Sequence, residues 1–407
     1  MASDRLQPQG IPGCKRRGVN LRRRVRMETS LPPVFGKESP SPPLRALHAC
    51  HSHTVIDPKP KYFLLSAEKE ISSALSSWMR LHDQHGRTIT DLRISVTDRC
   101  NYKCVYCRTG NEGALFADLP MEDYLRMARV FVSLGIKKIR ITGGEPLLRK
   151  GLLEFVRELG TMRAADDEPL DLAMTTNGHL LADMAKPLKD AGLKRVTVSV
   201  DAVTPEKFAR ITRVPGSYES VIAGLRAAKN AGLGPVKVNA VLLRGFNDDQ
   251  IVGFGKFARE ENVVVRFIEF MPLEEDRVWS PEIVVTLSEI LAKLTQFMPL
   301  IEIEREPSET ARRFVFEDGH GEIGIIAPVS EPFCGHCSRV RLTCDGKIRT
   351  CLFSAVEHDL HGLLRSGASD DQLRDFIVAT VDQKEEGHHI GQPDFHPASR
   401  TMVHIGG

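Results

Sequence analysis

From Leu92 to Phe270, short β-branched apolar runs alternate with helical patterns, and this alternation limits the fold more than any other feature of the chain. The runs are Leu92 to Thr97, Lys138 to Thr142, Leu172 to Thr176, Val196 to Val200, Val236 to Leu243 and Val263 to Phe270. Between them, apolar residues recur at helical spacing over Met121 to Leu134, Gly151 to Leu159, Leu181 to Ala191, Tyr218 to Ala231 and Asp248 to Glu261. Strands that alternate with helices join through right-handed crossovers and lie parallel, with the helices covering the sheet. The expectation is an α/β protein with six parallel strands. Periodicity does not separate a flat, doubly wound sheet from a curved one.

Polar residues gather near the C-terminal ends of these runs. Asp98 follows the first, Arg140 and Glu145 flank the second, and Asn177 follows the third. Ser199 and Asp201 stand at the fourth, Asn239 in the fifth, and Arg266 and Glu269 in the sixth. Ligands of parallel α/β proteins sit at that edge, where strand ends and loops converge. After about residue 281 the alternation stops. One helix, Leu287 to Gln296, leads into turn clusters at Glu317 to Gly321 and at Asp345-Gly346, which predict β-hairpins. This part reads as a smaller α+β appendage that supplies one wall of the site.

The start of the chain is different. Residues 1 to 27 hold eight Lys/Arg and one acid, Asp4, and residues 29 to 60 hold seven prolines. Without apolar periodicity such a stretch cannot offset its chain entropy, so disorder is expected to about residue 65. An Arg-rich start also suits a transit peptide to the mitochondrial matrix, but the prolines and the lack of an amphipathic helix favour a plain extension and a cytoplasmic protein. The resulting division is 1–84 extension, 85–280 core and 281–407 C-terminal domain. No run approaches the 18 apolar residues of a membrane helix, and a net charge of +2 gives no sign of a nucleic-acid partner. Nine cysteines are few for a disulfide scaffold, and six fall in two clusters, as metal ligands in a reducing compartment do. Cys14, Cys50 and Cys344 read as ordinary thiols.

The first cluster is Cys100-x3-Cys104-x2-Cys107. Three thiolates can hold three irons of a 4Fe-4S cube and leave the fourth open to an outside ligand. A structural zinc site, which wants four closed ligands, is the alternative. The second strand runs into Gly143-Gly144-Glu145-Pro146, where two glycines let a ligand lie on bare backbone and Glu145 can accept from a ligand amine. A second trio follows: Cys334, Cys337 and, after thirteen intervening residues, Cys351, with His336 as a candidate fourth zinc ligand. Arg339 and Arg341 alternate on the strand leaving Cys337 and so face one side, as a phosphate or purine site would use them.

The C-x3-C-x2-C run with Tyr106 before its last cysteine, followed by the Gly-Gly-Glu-Pro turn, resembles the radical S-adenosylmethionine (SAM) superfamily. With the second trio, Leu92 to Cys100, Thr175 to Gly178, Ser199-Val200-Asp201, Lys237 to Asn239, Arg266 to Met271 and the terminal Gly406-Gly407, the chain resembles the GTP 3′,8-cyclase family of molybdenum cofactor synthesis. The likeness runs from about Gly86 to the C-terminus. It implies a partial six-stranded β/α barrel with a C-terminal α+β part carrying a second cluster. It implies SAM, two 4Fe-4S clusters, and a deoxyadenosyl radical that takes hydrogen from the ribose of GTP. Cys100, Cys104 and Cys107 would hold the SAM cluster, with Tyr106, Gly144, Ser199 and Met271 at SAM. Cys334, Cys337 and Cys351 would hold the second cluster. Arg93, Arg339 and Arg341 would form the catalytic basic group, and Arg140, Thr175, Lys237 and Val340 would also contact GTP. The implied partners are a low-potential electron donor, a downstream cyclic pyranopterin monophosphate synthase and a second copy of the chain. Two positions depart from the family pattern, His85 where Phe is usual and Arg108-Thr109 where Met-Pro is usual. Both are expected in loops near the entrance.

Overall fold

The structure, a computed structural model, describes residues 80–107, 114–274, 279–393 and 395–406. Two compact units divide the chain, Met1–Lys59 and Pro60–Gly407, and every described residue lies in the second. The basic, proline-rich stretch falls outside the described residues, as do Cys14, Cys50, Arg108, Thr109 and Gly407.

All six expected strands form: β1 (Asp91–Ser95), β2 (Lys138–Thr142), β3 (Asp171–Thr176), β4 (Arg195–Ser199), β5 (Lys237–Leu242) and β6 (Val264–Glu269). They pair in chain order and all parallel. Helices α1 (Met121–Ser133), α2 (Leu152–Thr161), α3 (Leu181–Asp190), α4 (Pro205–Thr212), α5 (Tyr218–Asn230) and α6 (Ile251–Glu260) lie in the crossovers. One side-chain set of each strand is apolar and buried with the helices, including Leu92, Ile94, Ile139, Ile141, Val265 and Phe267 beside Tyr124, Phe131, Phe155 and Phe254. Burying each such side chain contributes roughly 1.5–3 kcal/mol.

The alternate set carries Arg93, Arg140, Thr175, Thr197, Lys237, Asn239 and Arg266. Arg140 Nη1 on β2 and Arg266 Nη2 on β6 both donate to Thr197 Oγ1 on β4, at 3.3 and 3.2 Å. In a flat sheet β2 and β6 would stand roughly 19 Å apart. Side chains from both reach one hydroxyl because the sheet curves around them, which decides between the two readings that periodicity left open.

The C-terminal part adds α7 (Leu287–Phe297), β7 (Leu300–Ile303), β8 (Arg312–Phe316), β9 (Glu322–Ile326), β10 (Arg339–Leu342), β11 (Lys347–Arg349), β12 (His358–Asp359), α8 (Leu360–Arg365), α9 (Asp370–Asp382) and α10 (Met402–Ile405). Its strands extend the sheet on both flanks: β10 pairs parallel with β1, and β9 parallel with β6. The sheet therefore has twelve strands in the order β12-β11-β10-β1-β2-β3-β4-β5-β6-β9-β8-β7, and β12 and β7 do not meet, so it stays open. The expected turns join β8 to β9 and β10 to β11 as antiparallel hairpins. Helices α8 and α9 were not anticipated, although Ser369 and Gln372 form a capping box that opens α9. Among the described residues no helix is long and apolar enough to cross a membrane.

Candidate active site

The first cysteine trio follows β1 directly, at the strand-end edge. Its segment is fixed by backbone bonds from Lys103 to Thr212 O and from Val105 to Ile211 O, at the end of α4. Tyr102 is buried edge-on against Phe208, and its N–H donates to Cys100 Sγ at 3.4 Å. Cys100, Cys104 and Cys107 are partly buried, and none is in a disulfide. Tyr106 donates its hydroxyl to Asp201 Oδ2 at 2.6 Å, and Val241 N–H binds the other oxygen at 2.9 Å. Burial nevertheless raises the Asp201 carboxyl to about 6.

The glycine turn explains itself through the chain's own backbone. A Cβ on Gly144 would stand 2.4 Å from Arg99 O, and one on Gly143 2.5 Å from Thr97 O. Gly144 N donates to Thr97 O and Glu145 N to Arg99 O, both at 2.7 Å. Both glycines thus allow β2 to close on the segment that leads into Cys100. Glu145 is fully buried and already accepts from Leu147 N, Thr176 Oγ1 and Asn177 N. Burial outweighs these bonds and lifts its carboxyl to about 7. Glu145 braces the ends of β2 and β3 from within the protein, where the sequence suggested a contact to a ligand amine.

The second trio lies at the start of β10, whereas the first follows the end of β1, to which β10 is parallel. Cys334 and Cys337 flank a single helical turn, and Cys351 follows β11. His336 is exposed. Burial pushes the Cys337 thiol up, but Arg339 and Lys384 outweigh it and bring the group down to about 7. Among the described residues no three His, Cys, Asp or Glu groups converge closely enough to hold a single ion. A cube takes each thiolate on a different iron and needs no such convergence, so two sets of three cysteines suit it as donors.

Against the second trio lies a cavity of about 320 Å³. Arg93, Arg140, Thr175, Lys237, Met271, Arg339 and Arg341 line it together with Cys334, Cys337 and Cys351. Register sets its charge: Arg341 on β10 is the direct neighbour of Arg93 on β1, which is the neighbour of Arg140 on β2. Burial first, and then Arg140 and Arg339, lower Arg93 to about 9. Burial and Arg266 lower Arg140 to about 10 and Lys237 to about 8. Burial, Arg93 and Arg339 pull Arg341 well below its ordinary value. Arg339 also lies 5.3 Å over the Phe333 ring. Val340 faces the core at 1% exposure and does not line the cavity. Tyr106, Gly144 and Ser199 stand outside the lining too, toward the first trio. Lys138, Arg195, Arg266, Lys384 and His388 also line it; sequence reasoning assigned none of them a contact, although it placed Arg266 on the sixth strand. The first three alternate with apolar residues on β2, β4 and β6, a signal that was available.

The tail enters this space. Arg341 Nη1 donates to Gly406 O at 2.8 Å. A Cβ on Gly406, where φ is +79°, would stand 2.7 Å from Ser95 Cβ and 3.0 Å from Thr142 Cγ2. Arg400 anchors the approach: it binds both oxygens of Asp345 at 2.8 Å and Glu357 at 2.6 Å, and lies 4.5 Å over the Phe116 ring.

An open, curved parallel sheet with three thiols after its first strand defines a radical SAM enzyme, and residues 94–258 match the Radical SAM superfamily model. SuiB of Streptococcus suis, solved with S-adenosylmethionine, shares the fold at a TM-score of 0.50 and 12% identity, over 81% of this chain and 75% of that one. Residues 263–390 match the family Molybdenum Cofactor Synthesis C. A GTP 3′,8-cyclase of Thermodesulfovibrio yellowstonii is 42% identical over 313 residues, 75% of this chain and 95% of the relative. A mitochondrial GTP 3′,8-cyclase of Arabidopsis thaliana is 40% identical over 334 residues, 80% of this chain and 83% of the relative. The chain belongs to the GTP 3′,8-cyclase family, whose step is the first in molybdenum cofactor biosynthesis. It is an enzyme of the radical SAM type, using SAM and iron–sulfur chemistry.

Proposed function

We propose that the cavity holds GTP and that the enzyme converts it to (8S)-3′,8-cyclo-7,8-dihydroguanosine 5′-triphosphate. One observation carries the reading: the buried row Arg341, Arg93, Arg140, three guanidiniums in register on adjacent strands. Like charges side by side across a sheet repel, and desolvation adds to the cost. A polyanion relieves both, and GTP brings about four negative charges at neutral pH.

Cys100, Cys104 and Cys107 would hold the cluster that binds SAM, with Tyr106, Gly144, Ser199 and Met271 around that ligand. Cys334, Cys337 and Cys351 would hold a second cluster facing the guanine. Loaded with SAM and reduced, these groups supply hydrogen abstraction from the ribose and the electron that completes the product. The chain's own residues do the rest. Arg339, Arg341, Arg93 and Arg140 grip the nucleotide from the adjacent strands β10, β1 and β2, while Thr175 on β3 and Lys237 on β5 extend the grip around the sheet. Val340 supplies only backbone. The curved sheet keeps bulk water from the reacting carbons. The same reading brings a low-potential electron donor, a downstream cyclic pyranopterin monophosphate synthase, and a homodimer in the cytoplasm, or in the mitochondrial matrix if the basic start is a transit peptide.

The fold it shares with SuiB leaves a peptide as the rival substrate. Anaerobic incubation with SAM, reductant and ribose-deuterated GTP, ribose-deuterated ATP or a deuterated peptide separates the two. Deuterium should enter deoxyadenosine from GTP alone; transfer from the peptide, or equal transfer from ATP, would overturn the assignment.

A further inference from the structure

Residues 81–89, ahead of β1, hold a contact that cysteine spacing does not foretell. Asp83 is buried, and its Oδ1 accepts from the backbone N–H of His85 and of Arg87, each at 3.0 Å. The turn passes through Gly86 at φ +74° and sends Arg87 inward, where it is 8% exposed. Arg87 Nε donates to Asp83 Oδ2 at 2.6 Å. Nη1 donates to Cys334 O at 2.9 Å and Glu386 O at 2.7 Å, and Nη2 to Glu385 O at 2.6 Å. One guanidinium therefore joins the backbone of the first cysteine of the second trio to the segment that follows α9.

That segment lies on the trio. A Cβ on Gly387 would stand 3.2 Å from Cys334 Cβ and 3.5 Å from its Sγ. Lys384 donates its Nζ to Thr350 O, the carbonyl before Cys351. His85 Nε2 meets Lys384 O at 3.2 Å. His85, one of the two positions where this chain departs from the family pattern, thus touches the segment that lies on the second trio.

We infer that Arg87 is the positioning residue of the second cluster. It fixes the Cys334 peptide against residues 385–387, so that Cys334, Cys337 and Cys351 present their sulfurs together. The inference rests on the two-cluster reading above. A fork of fixed N–H groups can hold three carbonyls and a carboxylate at once, and an ammonium cannot.

The test compares anaerobically reconstituted wild type, Arg87→Ala and Arg87→Lys. Lysine keeps a cation beside buried Asp83, so that variant does not strand the carboxylate. Wild type should hold about eight irons per chain and both variants about four. Both variants should still cleave SAM while forming no cyclised nucleotide, and the paramagnetic resonance signals of only one cluster should vanish. In iron-free protein, amide hydrogen exchange should rise over 385–388 in both variants and stay unchanged in β1 to β6. Arg87→Lys with a full iron complement and the wild-type spectrum overturns the inference, and so does simultaneous loss of both clusters. A wild type that itself holds only one cluster overturns the two-cluster reading and this inference with it, so the two failures are told apart.

Discussion

Arg341 bears on the chemistry from two directions, toward the cavity and toward the tail. Replacing it with Ala should leave SAM cleavage running while cyclised nucleotide falls by about 10²-fold or more, the scale of losing one preorganised charged donor. Chromatography of deoxyadenosine against product measures the split, and normal coupling would refute the role. Lys237 gives a pH signature. Its ammonium titrates near 8 because burial and Arg266 disfavour the charge. Below that pH it is cationic and attracts phosphate; above it the charge is lost. GTP affinity measured by calorimetry should therefore weaken as pH rises through about 8, and Lys237→Arg should flatten the change. The cysteines and the β10 arginine pair were legible because spacing and alternation mark them, and Arg93 through the family resemblance. Arg87 was not, because its partners are three backbone carbonyls some 250 to 300 positions later, and no side-chain pattern records a carbonyl. Val340 alternates with the two cavity-facing arginines, so its side chain points into the core and only its backbone is left for the proposed contact.

At the scale of elements, the tail is held at a few points. Gly406→Ala should lift the last turn away from Ser95 and Thr142, abolishing product formation while the melting temperature moves by only a few degrees. Arg400→Ala should raise hydrogen exchange over Met402 to Gly406, because Asp345 and Glu357 lose their shared cation; unchanged exchange would mean that the apolar contacts of α10 suffice. Helix α9 is a control. Ser369→Ala removes an N-cap and should cost about 1 kcal/mol in denaturant unfolding, with coupling of SAM cleavage to product intact. Elements with strong periodicity were readable to within a few residues. Their neighbours in the sheet were not, since hydrophobic alternation in β9 and β10 says that they pair but not with which strand.

For the whole molecule, that pairing makes the division at residue 280 a line in the sequence that the sheet does not respect. Cutting the chain there would bare β1 on one edge and β6 on the other, each with a row of unpaired amides. A fragment of 80–280 should accordingly aggregate on expression, and light scattering would show it; a monodisperse, cooperatively melting fragment would establish an independent barrel.

The seam between β1 and β10 also has a consequence in time. Arg93 leaves the ribosome long before Arg341, with roughly 250 residues made in between, and contacts so distant in sequence form late. During that interval the nascent chain carries the first set of thiols but lacks the strand that completes the nucleotide wall. A newborn molecule furnished early with iron would thus have no substrate to spend a radical on until its last quarter docks.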